Sequence, residues 1–271
     1  MQTPIEAHYD IPELTSHIRA ALTAAGKRLD ALTVDDLAPI DAMHARGRAA
    51  TAELAALAAL PAGTRVLDIG SGLGGSARYL ASRFDCDVTG IDLTASFCET
   101  ATELSAMVGL STKTRFRRAD ALALPFHDAS FDAVWTEHAQ MNIPDKERFY
   151  AEAVRVLRPG GSLIFADLFA GPGGELHYPV PWADSAETSS LISSDELRRI
   201  LGSLGLQPIH DHDHSDRTRE AIEAARARGT DNGPLGIQVV LRRSVPEKFK
   251  NAFRNLSERR FVPLHGVWQK P

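Results

Sequence analysis

A chain of 271 residues, 44% of them hydrophobic, has the size of one α/β domain with an appended cap and needs no second independent domain. Its net charge of −5 speaks against a surface that grips phosphate backbones, so no nucleic-acid partner is expected, and the basic doublets Arg117-Arg118, Arg242-Arg243 and Arg259-Arg260 read as solvated surface. The two cysteines, Cys86 and Cys98, lack a Cys-x-x-Cys partner, and neither a basic-then-apolar leader nor an 18-residue apolar run occurs, which leads us to expect a soluble, cytoplasmic protein with no membrane partner.

Residues 1–60 are helical in pattern, with helices near 11–26 and 42–59, the second rich in alanine and stopped by Pro61-Ala62-Gly63. From 64 to 170 strands and helices alternate, the pattern of a parallel sheet with right-handed crossovers. The first strand runs into Val66-Leu-Asp-Ile-Gly-Ser-Gly-Leu-Gly-Gly75, where Gly70, Gly72 and Gly74 allow a sharp turn and bare amides at a helix N-terminus. Gly70, Gly72 and Gly75 also satisfy G-x-G-x-x-G and so permit a dinucleotide. Asp68 decides against that, because a carboxylate two residues ahead of the turn repels a pyrophosphate and attracts a cofactor bearing an ammonium and a sulfonium.

The second strand ends at Asp92, 22 residues after Gly70, where a carboxylate can accept from both hydroxyls of a ribose. Asp120 ends the third and can accept from an adenine amino group; for both acids a plain strand-end turn former is the alternative. A fourth strand opens at Ser130-Phe-Asp-Ala-Val-Trp135, and Arg155-Val-Leu-Arg-Pro-Gly-Gly161 leads into a fifth that reaches Asp167. Gly171-Pro-Gly-Gly174 closes the alternating region. A helix over 195–205 capped by Ser193 or Ser194 and a strand over 206–214 come next. Residues 216–260 interrupt the last two strands with helical stretches at 218–228 and 246–259 around the loop Gly229–Pro234, and 261–269 closes the sheet antiparallel.

Taken in this order the motifs resemble the class I S-adenosylmethionine-dependent methyltransferases over residues 60–210. That resemblance implies a seven-stranded Rossmann-like sheet, mostly parallel with the last strand antiparallel, under a helical cap. It gives a cap at 1–60 and a methyltransferase domain at 61–271 with cap insertions at about 171–190 and 216–260. Asp68, Gly70, Gly72 and Gly74 then line the methionine and ribose portion of the cofactor. Asp92 and Leu93 hold the ribose, Asp120 and Ala121 edge the adenine, and Glu137 completes the set. Within the superfamily the stretches Gly70–Leu80, Asp211–Ser215 and Phe249–Trp268 resemble small-molecule enzymes such as sarcosine and dimethylglycine N-methyltransferases, and tocopherol and natural-product methyltransferases.

Methyl transfer from a sulfonium is an in-line substitution, so alignment supplies much of the acceleration and a base is needed only for a protonated or weak nucleophile. His138 and Asn142, four residues apart, are the candidates past the fourth strand; His138 has the suitable pKa, with a histidine merely satisfied by backbone bonds as the alternative. Relatives carry a histidine where this chain has Asn142, which cannot take a proton, so the base is His138 or a cap residue such as His214, His177 or Tyr9. His44 is expected near the methionine end or on a salt-bridged helix surface. Tyr9, Tyr178, Trp182 and Trp268, with His177, are candidate pocket walls that either cage an ammonium or line an apolar slot.

His210, His212 and His214 alternate along a strand, but their spread of about 13 Å is too wide for one ion, and no metal is expected. Thr136-Glu-His-Ala139 in place of Asn-Pro-Pro-Tyr/Phe argues against a nucleic-acid methyltransferase, and an NAD-linked dehydrogenase leaves Asp68 without a role. The expected activity is methylation of a small-molecule acceptor, an amine nitrogen of the glycine or sarcosine type first, with O- or C-methylation of an aromatic, quinol or isoprenoid as the alternative. The expected form is a monomer or homodimer.

Overall fold

A computed structural model describes residues 4–9, 11–42, 44–228, 235–240 and 245–271. The loop Gly229–Pro234 and the doublet Arg242-Arg243 lie outside the described residues. Seven strands form one sheet: β1 (Arg65–Ile69), β2 (Asp87–Asp92), β3 (Thr114–Arg118), β4 (Phe131–Glu137), β5 (Leu157–Ala170), β6 (Gln207–Asp213) and β7 (Phe261–Gln269). Their spatial order is β3-β2-β1-β4-β5-β7-β6, with β7 antiparallel to both of its neighbours and the pairs from β3 to β5 parallel. The strand direction of β7 matches the expectation. The order reverses between β1 and β4, which places a crevice at the carboxyl ends of these strands.

Both faces of the sheet are buried, as a mostly parallel sheet requires. One face carries Leu67, Val134, Phe149, Tyr150, Leu163 and Leu201, supplied in part by helices over Lys146–Val156 and Ser194–Ser203. The other carries Val66, Ala77, Leu80, Val88, Trp135 and Ile164. Leu54 and Ala55 belong to this second face, so the helix that holds them, Arg48–Ala58, is a layer of the sheet and not part of a lid. The helical region expected over 1–60 is therefore divided in use.

Its remainder is a cap of three helices, Pro4–Tyr9, Leu14–Ala24 and Val34–Asp41, whose apolar residues Leu14, Ile18, Leu22, Leu37 and Ile40 meet Leu73, Phe97 and Leu104. Two of these helices were not expected from the sequence. Val34–Asp41 is only 8 residues long with Pro39 inside it, which reads as a breaker, yet Thr33 and Asp36 form a reciprocal capping box that starts it. Helices over Ser215–Arg228 and Val245–Ser257 complete the cap from the other side.

A buried ion pair clamps the cap to the sheet. Arg78, on the helix Gly75–Phe84, donates from Nη2 to Asp41 Oδ2 at 2.9 Å and to the Leu73 carbonyl at 2.6 Å, and from Nη1 to the Ala101 carbonyl and Ser105 Oγ at 3.2 Å each. Both side chains are fully buried. Burial alone lowers the pKa of Arg78 and Asp41 opposes that shift. Asp41 is also reached by Arg48 at 3.4 Å, whereas loss of Asp41 leaves the Arg78 charge without a carboxylate in the interior. The Asp41→Ala variant is therefore expected to lose about 3–5 kcal/mol of stability, read as a lower urea midpoint, and Asp41→Leu combined with Arg78→Met is expected to recover much of it.

Candidate active site

The turn after β1 sets the site. Gly70 adopts φ +74°, and a Cβ there would overlap Ala139 in the turn after β4, so only glycine lets the two loops meet at the crevice. The Gly70 and Ser71 amides donate to the Ile91 carbonyl at 2.9 Å each, which ties the turn to the end of β2. Asp92 then accepts from the Gly72 amide at 3.0 Å and from the Thr94 amide at 2.9 Å.

Three carboxylates converge here, Asp68 and Glu137 buried and Asp92 partly so. Asp68 is 2% exposed and its Oδ2 has no hydrogen-bond partner. Burial first, then the charges of Glu137 and Asp92, drive its pKa well above the usual carboxylate range. Burial also raises Asp92, although the amides of Thr94 and Gly72 pull the other way. Glu137 is the best satisfied: it accepts from Ser76 Oγ, from Trp135 Nε1 at 3.0 Å and from Thr51 Oγ1 at 3.2 Å. An unpartnered acid oxygen beside two further acids is a receptor for a cation, and the donor set suits a group with an ammonium, a sulfonium and a ribose. Asp120 and Ala121 line the same cavity, with Asp120 Oδ1 accepting from the Leu122 amide at 2.8 Å.

The cavity, about 800 Å³, runs from this turn to an opposite wall that includes Ile222, Phe249, Phe253, Leu256 and Phe261. Of the residues expected at the site, Asp68, Gly70, Gly72, Asp92, Leu93, Asp120, Ala121 and Glu137 line it, and so do Tyr9, His44, His138, Asn142 and Trp182. Gly74 does not. It caps the following helix at φ +77°, and a Cβ there would press on the Phe116 ring and Arg78.

Four other expectations fall outside the lining. His177 pairs with Glu258 at 2.9 Å, and its backbone is bonded twice to Asn255, so it fastens the 171–190 loop to the helix Val245–Ser257. Tyr178 packs in the apolar cluster of Met141, Leu168 and Trp182. Trp268 sits opposite Leu163, far from the crevice, because an antiparallel last strand brings only its first residues to that edge. His214 lies behind the cavity wall, stacked on His265 with ring centroids 3.9 Å apart.

Asn142 is a knot in the cap. It accepts from the Tyr9 hydroxyl at 3.0 Å and donates from Nδ2 to the carbonyls of Trp182 at 2.8 Å and Thr188 at 2.9 Å. Tyr9 keeps its proton, since burial and the charges of Asp92 and Asp167 raise its pKa. His138 occupies the left-handed region at φ +51°, a strained conformation for a residue with a Cβ. Burial, with His44 and His265 nearby, pushes its pKa well below the usual histidine value, so the ring is neutral.

Sequence reading overlooked Asp167, which accepts from the Ala139 and Gln140 amides at 3.0 Å each and from the Leu168 amide at 2.8 Å, and so holds the turn that carries His138 and Asn142. Its burial raises the pKa to about 6. Thr51 was also overlooked, being a single polar residue in a helical stretch with no motif around it, and Ser76, just past the glycines, carried no local sign of its pairing with Glu137.

The metal question moves from the alternating histidines to another group. His210 and His212 lie on the half-buried to exposed outer strand with rings 6.1 Å apart. His214, His265 and Glu53 place ligand atoms within 4.8 Å of one another. An ion must lie in the plane of each imidazole that binds it, and two rings stacked at 3.9 Å with only 13° between their planes share no such point. Glu53 is also already engaged by Arg46 and Arg217.

A model described as "Methyltransferase domain" matches residues 67–165. The O-methyltransferase cnsE of Penicillium expansum is 31% identical over 188 residues, covering 69% of this chain and 68% of that protein. The glycine/sarcosine/dimethylglycine N-methyltransferase of Actinopolyspora halophila is 35% identical over 168 residues, covering 59% of this chain and 30% of that protein. Across the first of the curated relatives matched, the chain spans only 29% to 38% of their length. The solved geranyl diphosphate C-methyltransferase of Streptomyces coelicolor A3(2) shares the fold, with a TM-score of 0.71 and 19% identity over 99% of both chains. The chain belongs to the class I S-adenosylmethionine-dependent methyltransferases, and S-adenosylmethionine is the cofactor of that class.

Asp68 makes this site costly when empty. A carboxyl whose pKa is raised on folding binds protons more readily folded than unfolded, so its burden on stability is absent at low pH and grows as pH rises from the unfolded value of 3.8 through the folded one. Asp68→Asn is therefore expected to raise the melting temperature of the ligand-free protein at neutral pH, with the gain vanishing in acid, while S-adenosylhomocysteine binding measured by calorimetry is lost.

Proposed function

We propose that this chain transfers a methyl group from S-adenosylmethionine to a hydroxyl, or to an activated carbon, of an apolar small molecule such as a phenol, quinol or isoprenoid. The observation that carries this reading is the acceptor side of the cavity, where Met141, Leu168, Ile222, Phe249, Phe253 and Phe261 form an apolar wall. A small amino acid needs a cation for its carboxylate. Arg46 supplies the one guanidinium among the described lining residues, and Glu53 already holds it with contacts of 2.9 and 2.5 Å. A second reading, methylation of an amine nitrogen, draws on the N-methyltransferase relative and on the aromatic rings of Tyr9 and Trp182, which can face a cation.

When bound, S-adenosylmethionine supplies an electrophilic methyl on a positively charged sulfur. Asp68 would hold its ammonium, Asp92 its ribose hydroxyls and Asp120 its adenine edge. The apolar wall excludes water and aligns the acceptor, which is where proximity contributes most. Among the described residues no helix is long and apolar enough to cross a membrane.

Calorimetric titration with S-adenosylhomocysteine, followed by methyl-transfer assays on substituted phenols and hydroquinones against glycine, sarcosine and dimethylglycine, tests this reading. Turnover of the apolar hydroxyls is expected, and turnover confined to the amino acids overturns it. Phe249 is 40% exposed at the cavity wall, so Phe249→Ala is expected to fold normally, to keep S-adenosylhomocysteine affinity and to raise the acceptor KM roughly tenfold.

A further inference from the structure

The hydrogen bonds around Glu137 favour one tautomer of its neighbour His44. Ser76, Trp135 and Thr51 all donate to the Glu137 side chain, which is 4% exposed, so in these contacts its oxygens act as acceptors. The Thr51 hydroxyl has one proton, and with that proton on Glu137, which can only accept, it offers lone pairs to His44 Nε2 at 3.2 Å. The proton on that contact belongs to the imidazole. His44 Nε2–H donates to Thr51, with Glu137 Oε1 at 3.7 Å, and in a neutral ring this leaves Nδ1 as a bare acceptor. Nδ1 is buried with no partner, and the ring belongs to the cavity wall beside His138, their centroids 5.8 Å apart.

We infer that His44, held in the Nε2–H form by Thr51 and Glu137, is the general base that takes the proton of an acceptor hydroxyl, a role that rests on the hydroxyl reading proposed above. As the acceptor oxygen forms its bond to the methyl carbon, its O–H proton passes to His44 Nδ1. The carbon–sulfur bond breaks with its electron pair going to sulfur, which becomes a neutral thioether. The imidazolium left behind faces the Glu137 carboxylate, so the new positive charge arises beside a fixed negative one. The alternatives are less suited: Asn142 cannot accept a proton, Tyr9 retains its own, and His138 resists protonation in its buried setting. Glu137 itself has both oxygens occupied by donors.

Long-range proton–nitrogen correlation spectra of the full chain labelled with 15N-histidine and saturated with S-adenosylhomocysteine read the tautomer of His44 directly. The Nε2–H form is expected, and Glu137→Gln is expected to abolish that preference. An Nδ1–H ring, or one indifferent to Glu137→Gln, overturns the inference, and the wild-type spectrum decides it even if the variant does not fold. With 2,3-dimethylhydroquinone as the probe acceptor, His44→Gln is expected to lower kcat about 10²-fold, to flatten the pH profile of kcat and to leave the KM for S-adenosylmethionine unchanged. If the wild type methylates the probe and His44→Gln keeps pace, the base assignment fails while the hydroxyl reading stands. If the wild type binds S-adenosylhomocysteine but methylates no phenol or hydroquinone, the hydroxyl reading fails and the base assignment with it.

Discussion

Three acid side chains share one small region at the carboxyl ends of β1, β2 and β4, and their mutual repulsion is the constraint around which the rest is arranged. Asp92 is eased by backbone amides and Glu137 by two hydroxyls and an indole, whereas Asp68 keeps an oxygen with no donor at all. A buried charge without a partner is among the most expensive features a fold can contain. It is compensated when a positively charged ligand arrives, so affinity for that ligand and the strain of the empty site have one origin. The Rossmann-like frame makes the arrangement possible because strand order reverses at β1 and β4, which leaves the acids an opening to face.

Around that charged floor the cap is fastened by polar contacts at a few points. Asp41 and Arg78 join the third cap helix to the helix that follows the glycine turn, so the wall of the cofactor pocket and its foundation move as one. Asn142 joins the first cap helix to the 171–190 loop, and Asp167 braces the backbone from which Asn142 projects. Apolar packing fills the space between these ties but does not set their register. An acceptor cavity made in this way combines a rigid polar end with a softer apolar one.

Local signals carried the glycine turn, the acids at the strand ends and most of the sheet. Asp68, Gly70, Gly72 and Asp92 stand at fixed offsets from strand ends, where backbone geometry dictates both position and direction, and the alternating pattern gave the parallel core. Long-range partnerships left no such trace. His214, His177 and Trp268 have the chemistry of pocket residues, yet tertiary packing turns them toward Glu53, Glu258 and the far edge of the sheet. Gly74 belongs to the motif but serves helix packing. Thr51, Ser76 and Asp167 act only through a residue distant in sequence, and the helix Val34–Asp41 was hidden because the proline inside it outweighed a legible capping box. The acceptor side of the cavity was illegible for a similar reason: part of its wall comes from the insert at 216–260, where the sequence showed helices without showing which side they present.

Phe249 sits at the cavity wall with two fifths of its surface in water. A wall that leaves this ring partly in solvent is a poor gauge of how long a guest is. Hydrophobic walls discriminate weakly between homologues in any case, a methylene more or less changing binding by only about 1–3 kcal/mol. On the function proposed above, selectivity would therefore reside at the reacting head, with chain length or branching behind it taken up along the phenyl ring at the surface.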